Sequence, residues 1–202
     1  MKKIEIPDEE LELETKPYGY YEQTLVRKVQ HFYLSGYIDE PASYIDMVHK
    51  IRVAGPDETI FIHLNTEGGD LSTGIQLVNA MKYSDAHIVC SLEGEAYSLG
   101  SLIFLAGDEF IIHDNSIMMI HNFSGGIYGK GNEQVSQLEA TIKWFNTIAR
   151  DYYTPFISEE ELADILKGED IWLQADDVRK RLNKMVKIIR KARKELEQDT
   201  KK

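Results

Sequence analysis

The chain has 202 residues, 43% hydrophobic and 28% charged, with a formal net charge of −11. That length and balance describe one soluble domain with a sizeable core, and no apolar run approaches the roughly 18 to 20 residues of a membrane span. The single cysteine, Cys90, excludes an intramolecular disulfide and a cysteine-based zinc site. It sits in an apolar run and reads as a buried small hydrophobe.

Charge is uneven along the chain. Residues 178–202 hold 11 Lys or Arg against 3 acids, a net of +8, which leaves −19 on the remainder. The acidic body argues against general nucleic-acid binding. The acidic start lacks the apolar core of a signal peptide. The chain therefore reads as unexported and cytoplasmic.

Residues 1–24 read as an extension, in which Glu9-Glu-Leu-Glu-Leu-Glu14 suits a docked strand or a flexible arm. A strand is predicted around Phe32-Tyr33-Leu34, with Gly36 able to turn it. Pro41 at a first turn suits a helix to about Ala54, with Tyr44, Met47, Val48 and Ile51 on one face. Gly55-Pro56-Asp57 is a break. The β-branched and aromatic run Thr59-Ile-Phe-Ile-His-Leu64 predicts a strand, and Gly68-Gly69 a turn. Leu71, Ile75, Val78 and Met81 then mark one helix face.

Residues 87–92 predict the next strand and 98–106 a buried helix. Phe110-Ile-Ile112 and Ile117-Met-Met-Ile120 are two short strands around a turn at His113-Asp-Asn115. A long helix is expected from about Asn132 to Tyr153. Ser158 with Glu161 resembles a capping box for a helix ending near Gly168. Residues 25–178 form the expected domain and 179–202 a basic C-terminal helix. Its stripe of Leu182, Met185, Val186 and Ile189 suits packing on the acidic body or a neighbouring subunit. Strands alternating with helices argue for βαβ units and a largely parallel sheet, whose ligands gather where strands end and helices begin.

Two segments occupy such places: Asn65-Thr-Glu-Gly-Gly69 and Glu93-Gly-Glu-Ala-Tyr-Ser-Leu-Gly100. Ser98, on a small-residue turn opening a helix, stands where free backbone N–H groups can bind a developing oxyanion. Ala96-Tyr-Ser-Leu-Gly100 resembles the G-x-S-x-G elbow with alanine for the first glycine. The plainer role of such a serine is a helix N-cap. His121 ends an apolar strand, which suits a general base. His31, His49, His63, His87 and His113 are less well placed.

These motifs together resemble the Clp protease proteolytic subunit family (ClpP). The resemblance is carried by Gly68-Gly69, by Ala96-Tyr-Ser-Leu-Gly100 with its apolar helix, and by Asn115-Ser-Ile-Met-Met-Ile-His121. It spans about residues 29 to 178 and implies a single α/β domain with ClpP/crotonase-like repeated ββα units. It also implies a Ser98, His121 and Asp170 triad, the acid being the aspartate of Asp170-Ile-Trp-Leu-Gln-Ala175. Asp176 and Asp177 are its rivals, and Asp164 is less suited. The implied oxyanion donors are the N–H groups of Gly69 and Leu99. The chain order Ser, His, Asp differs from that of α/β-hydrolases.

The resemblance further implies a serine endopeptidase acting on unfolded polypeptides inside a homo-oligomer of stacked heptameric rings, with the long helix between rings. It implies no cofactor, no metal and no membrane. A separate AAA+ unfoldase would feed it, since no G-x-x-x-x-G-K-[ST] motif occurs. Some positions depart from the family pattern. Glu67 and Phe123 stand where prolines are usual, and Glu169 where an arginine often links rings. The usual C-terminal turn and strand are missing. Such departures suit a divergent member, including a phage capsid-maturation protease. A ring-forming homologue without activity and a crotonase-like acyl-CoA enzyme are the other readings.

Overall fold

A computed structural model describes residues 27–199. The expected extension, residues 1–24, lies outside the described residues. Six strands form one sheet in the order β1-β2-β3-β5-β6, and β4 also pairs with β3. The strands are β1 (Val29–Ile38), β2 (Thr59–Gly69), β3 (His87–Tyr97), β4 (Glu109–Ile112), β5 (Ile117–Ile120) and β6 (Ile171–Gln174). All pairings are parallel except β5 with β6.

The helices are α1 (Ile45–Val53), α2 (Leu71–Lys82), α3 (Leu99–Leu105), α4 (Gly131–Tyr153), α5 (Glu159–Lys167) and α6 (Ala175–Asp199). The helix expected from Pro41 begins as a 3-10 turn, Pro41–Tyr44, and becomes α-helical at Ile45. Asp70 caps α2, its Oδ1 accepting the Thr73 N–H at 2.8 Å. Ser158 and Glu161 form the expected capping box of α5, and Gly168 closes it with φ +113°.

Alternation along β2 explains where the core sits. Ile60, Ile62, Leu64 and Thr66 are buried on one face, the face that α3 packs against, while Phe61, His63 and Asn65 take the other. That second face is only partly covered. Tyr33 and His63 stack there with ring centroids 4.4 Å apart, and His31 hydrogen-bonds His63 at 2.9 Å.

The two short strands either side of His113 do not pair with one another. β4 runs beside Val89–Leu92 of β3, and β5 beside Glu95–Tyr97, end to end on the same edge. The turn between them is closed by Ser116, whose hydroxyl donates to the His113 carbonyl at 2.7 Å. This step along the edge brings the end of β5 to the end of β3.

Residue 178 lies inside α6, which continues directly from β6. Leu182 and Met185 of its apolar stripe are buried in the core, while Ile189 is exposed. Arg181 holds Glu161 of α5 through two hydrogen bonds, at 2.6 and 3.0 Å. Among the described residues no helix is long and apolar enough to cross a membrane.

Candidate active site

β3 ends at Tyr97 and α3 begins at Leu99, so Ser98 occupies the turn between them. Its backbone has φ +53° and ψ −119°, and it is the one non-glycine with positive φ among the described residues. An L-residue is strained there, and such strain persists only where the surroundings over-determine it. The Ser98 N–H donates to the Met119 carbonyl at 2.9 Å, which pins the turn to β5.

Ser98 stands at the N-cap position of α3, yet its side chain makes no capping hydrogen bond. The hydroxyl lies instead 2.6 Å from Nε2 of His121. Strand register explains the meeting. Tyr97 pairs with Met119 in the parallel β3–β5 ladder, so the residues just past each strand end are neighbours. For Nε2 to accept the hydroxyl proton, the neutral ring carries its hydrogen on Nδ1.

Gly68-Gly69, expected as a turn, instead form the end of β2, which runs on past Leu64 because a bulge lets Gly68 and Gly69 pair with Tyr37 and Ile38 of β1. This glycine end of the strand approaches the same point. A Cβ on Gly68 would lie 2.8 Å from the Tyr97 carbonyl oxygen, 3.0 Å from Ser98 Cβ and 3.1 Å from the Leu99 nitrogen. A Cβ on Gly69 would collide with the backbone of Ile38 at 2.1 Å. Both glycines also have positive φ, +92° and +153°. Thr66, fully buried, fastens this strand end: its Oγ1 accepts the Gly68 N–H at 3.0 Å and donates to the Gly36 carbonyl.

A cleft of about 50 Å³ opens beside the serine. Gly69, Ser98 and His121 line it with the apolar side chains of Leu71, Leu102 and Phe145. Phe123, which stands where the resembled family usually has proline, packs on Phe145 with centroids 5.2 Å apart. Leu99 is the first residue of α3, so its N–H has no acceptor within the helix.

A strained serine at the end of β3 thus lies against a histidine and against the Gly68-Gly69 end of β2. The family model for Clp protease matches residues 20–181. The chain belongs to the Clp protease family. It is 29% identical over 114 residues to the ATP-dependent Clp protease proteolytic subunit of Deinococcus radiodurans. The alignment covers 54% of this chain and 56% of that protein, so the chain spans about half the length of the curated relative it matches.

The structure brings Ser98, His121, Gly69 and Leu99 of the Clp protease motifs together. Asp170 stands differently. The antiparallel ladder ends with Ile120 opposite Ile171, and one further step sets His121 opposite Asp170. Asp170 is nevertheless exposed, and no hydrogen bond joins it to His121 among the described residues. Its rivals are engaged elsewhere: Asp176 pairs with Arg179, Asp177 with Lys180 and Asp164 with Lys167.

The remaining histidines lie away from the serine. His63 bonds Glu93 on the open sheet face, and His87 bonds Glu109 at 3.0 Å. Sequence reasoning did not find Thr66, Ser101 or Tyr153, which surround the serine turn. Ser101 and Tyr153 sit at helical positions indistinguishable from other core residues. No local signal marks the link between their hydroxyls, because Ser101 and Tyr153 are distant in the chain.

Proposed function

We propose that this Clp protease family member is a serine peptidase in which Ser98 is the nucleophile. The observation that carries the reading is the 2.6 Å contact between Ser98 Oγ and His121 Nε2, made by a serine at φ +53° whose side chain caps no helix. His121 takes the hydroxyl proton as Ser98 attacks the substrate carbonyl, then delivers it to the leaving amine. Water hydrolyses the acyl-enzyme by the same route in reverse. The N–H groups of Gly69 and Leu99 receive the oxyanion. Asp170 orients His121 and stabilises the imidazolium.

The cleft's small volume suits a small side chain next to the scissile bond. Assembly into stacked rings, a separate unfoldase feeding unfolded polypeptide and a cytoplasmic setting belong to the same proposal. The relative's name, an ATP-dependent proteolytic subunit, supports an assembly that works with a separate ATPase.

A second reading, a ring-forming homologue without activity, is favoured by one observation: the exposed Asp170 carboxylate makes no hydrogen bond to His121 among the described residues. Fluorophosphonate labelling separates the two. Covalent labelling of the wild type that disappears in Ser98→Ala and in His121→Ala is the expected result. A folded wild type that does not label supports the inactive ring. Labelling that survives Ser98→Ala means the nucleophile lies elsewhere.

A further inference from the structure

Behind the serine turn, on the core side, lies a chain of hydroxyl groups that the triad does not use. Ser101 Oγ donates to the carbonyl oxygen of Ser98 at 2.6 Å, and the Ser101 N–H donates to the same oxygen at 3.0 Å. Tyr153, from the last turn of α4, places its hydroxyl 3.0 Å from Ser101 Oγ and 3.5 Å from the Ser98 oxygen. Ser101 and Tyr153 are 0% and 1% exposed.

Each hydroxyl has one hydrogen. With the Ser101 hydrogen committed to the Ser98 carbonyl, the Tyr153 hydrogen goes to Ser101 Oγ. The chain is thus directed, Tyr153 to Ser101 to Ser98. Burial pushes the Tyr153 hydroxyl up to about 12, so it remains a donor across the neutral range.

The carbonyl of Ser98 and the N–H of Leu99 belong to one planar trans peptide and point in opposite directions. Holding the carbonyl toward Ser101 and Tyr153 therefore aims the Leu99 N–H the other way. That way lies the Gly68-Gly69 end of β2, since a Cβ on Gly68 would stand 3.1 Å from the Leu99 nitrogen. The donors on the carbonyl also polarise the peptide and strengthen its N–H as a donor.

We propose that Tyr153 and Ser101 are positioning residues that lock the Ser98–Leu99 peptide so that the Leu99 N–H serves as an oxyanion donor. The inference rests on the peptidase reading and adds to it a control point on α4, a helix otherwise exposed over its first half. Its positioning role acts on the transition state and leaves ground-state substrate binding alone.

The test uses the full chain, with Tyr153→Phe, Ser101→Ala and the double variant. Three readouts are taken: the fluorophosphonate labelling rate, kcat and KM on a short fluorogenic peptide, and inhibition by the matching peptide boronate, whose adduct with the serine mimics the tetrahedral intermediate. Loss of a whole oxyanion donor lowers kcat about 100- to 1,000-fold. Partial release of the peptide should lower it roughly 10-fold in Tyr153→Phe and more in Ser101→Ala, since an oxyanion donor acts on the transition state.

KM should stay unchanged, boronate affinity should fall by the same factor as kcat, and the double variant should match Ser101→Ala. Wild-type rates in both single variants, or a rise in KM with kcat unchanged, would overturn the clamp while leaving the peptidase reading intact. A wild type that fails to label would overturn both.

Discussion

Replacing Gly68 by alanine tests the central geometry directly. The added Cβ would stand 2.8 Å from the Tyr97 carbonyl oxygen, 3.0 Å from Ser98 Cβ and 3.1 Å from the Leu99 nitrogen. Contacts that short do not persist, and the obstacles are backbone atoms of the serine turn, so that turn must move by several tenths of an ångström. The alanine would also have to adopt φ near +92°, a strain of order 1–3 kcal/mol. Gly36→Ala is the control, because Gly36 has φ +75° with nothing within 4 Å of an added Cβ. It bears the strain without the collision.

Both variants should therefore lose about 1–3 kcal/mol in urea unfolding, with Gly68→Ala at or above the upper end. Their activities should diverge. A displacement approaching 1 Å at a reacting group lowers rate about 100-fold, so Gly68→Ala should label with fluorophosphonate at least 10-fold more slowly than Gly36→Ala. Equal labelling rates in the two variants would refute the claim that the Gly68-Gly69 strand end buttresses the nucleophile.

Further expectations follow from the same coordinates. Asp170→Asn should leave the fold intact and slow labelling of Ser98 by about 100-fold or more if Asp170 orients His121; an unchanged rate would remove Asp170 from the machinery. Arg181 beside Glu161 holds that carboxyl well below the usual carboxylate range, at about 2. Because its folded value is depressed, the stabilisation is present above the ordinary carboxylate range and fades as pH falls from about 4.5 toward 2. Glu161→Gln should therefore be less stable than wild type by about 1 kcal/mol near neutrality and should converge with it near pH 2 in denaturant titrations. Cys90 is fully buried, and burial pushes its thiol up, so maleimide should modify it only after unfolding; rapid modification of the native chain would show that the β3–α3 packing opens.

The βαβ pattern and the elements up to α5 were legible along the chain, and Ser98 and His121 could be singled out as candidates. β6 (Ile171–Gln174) was not read, because a four-residue run gains strand character only by pairing with β5. Periodicities of two and 3.6 residues carry burial directly, as in Ile60, Ile62 and Leu64 of β2 or Val78 and Met81 of α2. Capping chemistry is equally local, which is why Ser158, Glu161 and Gly168 were readable as the two ends of α5. Ser98 and His121 stood at the ends of apolar runs, but their contact depended on a register between strands, and pairing across a sheet is not encoded in either segment alone.

Tertiary structure alone decided four things. It set β4 and β5 end to end beside β3, a choice that local propensity leaves open. It left the Ser98 side chain out of its plainer role as a helix cap, on a backbone of positive φ whose N–H bonds the Met119 carbonyl of β5. It brought Tyr153, 52 residues away, onto Ser101 behind the serine turn. And it left Asp170 just outside the β5–β6 ladder and exposed, since an exposed carboxylate before a strand has no packing to fix its rotamer. Sequence determined which residues could do the chemistry, because residue type and local pattern limit what each can offer; only three-dimensional packing determined which of them meet.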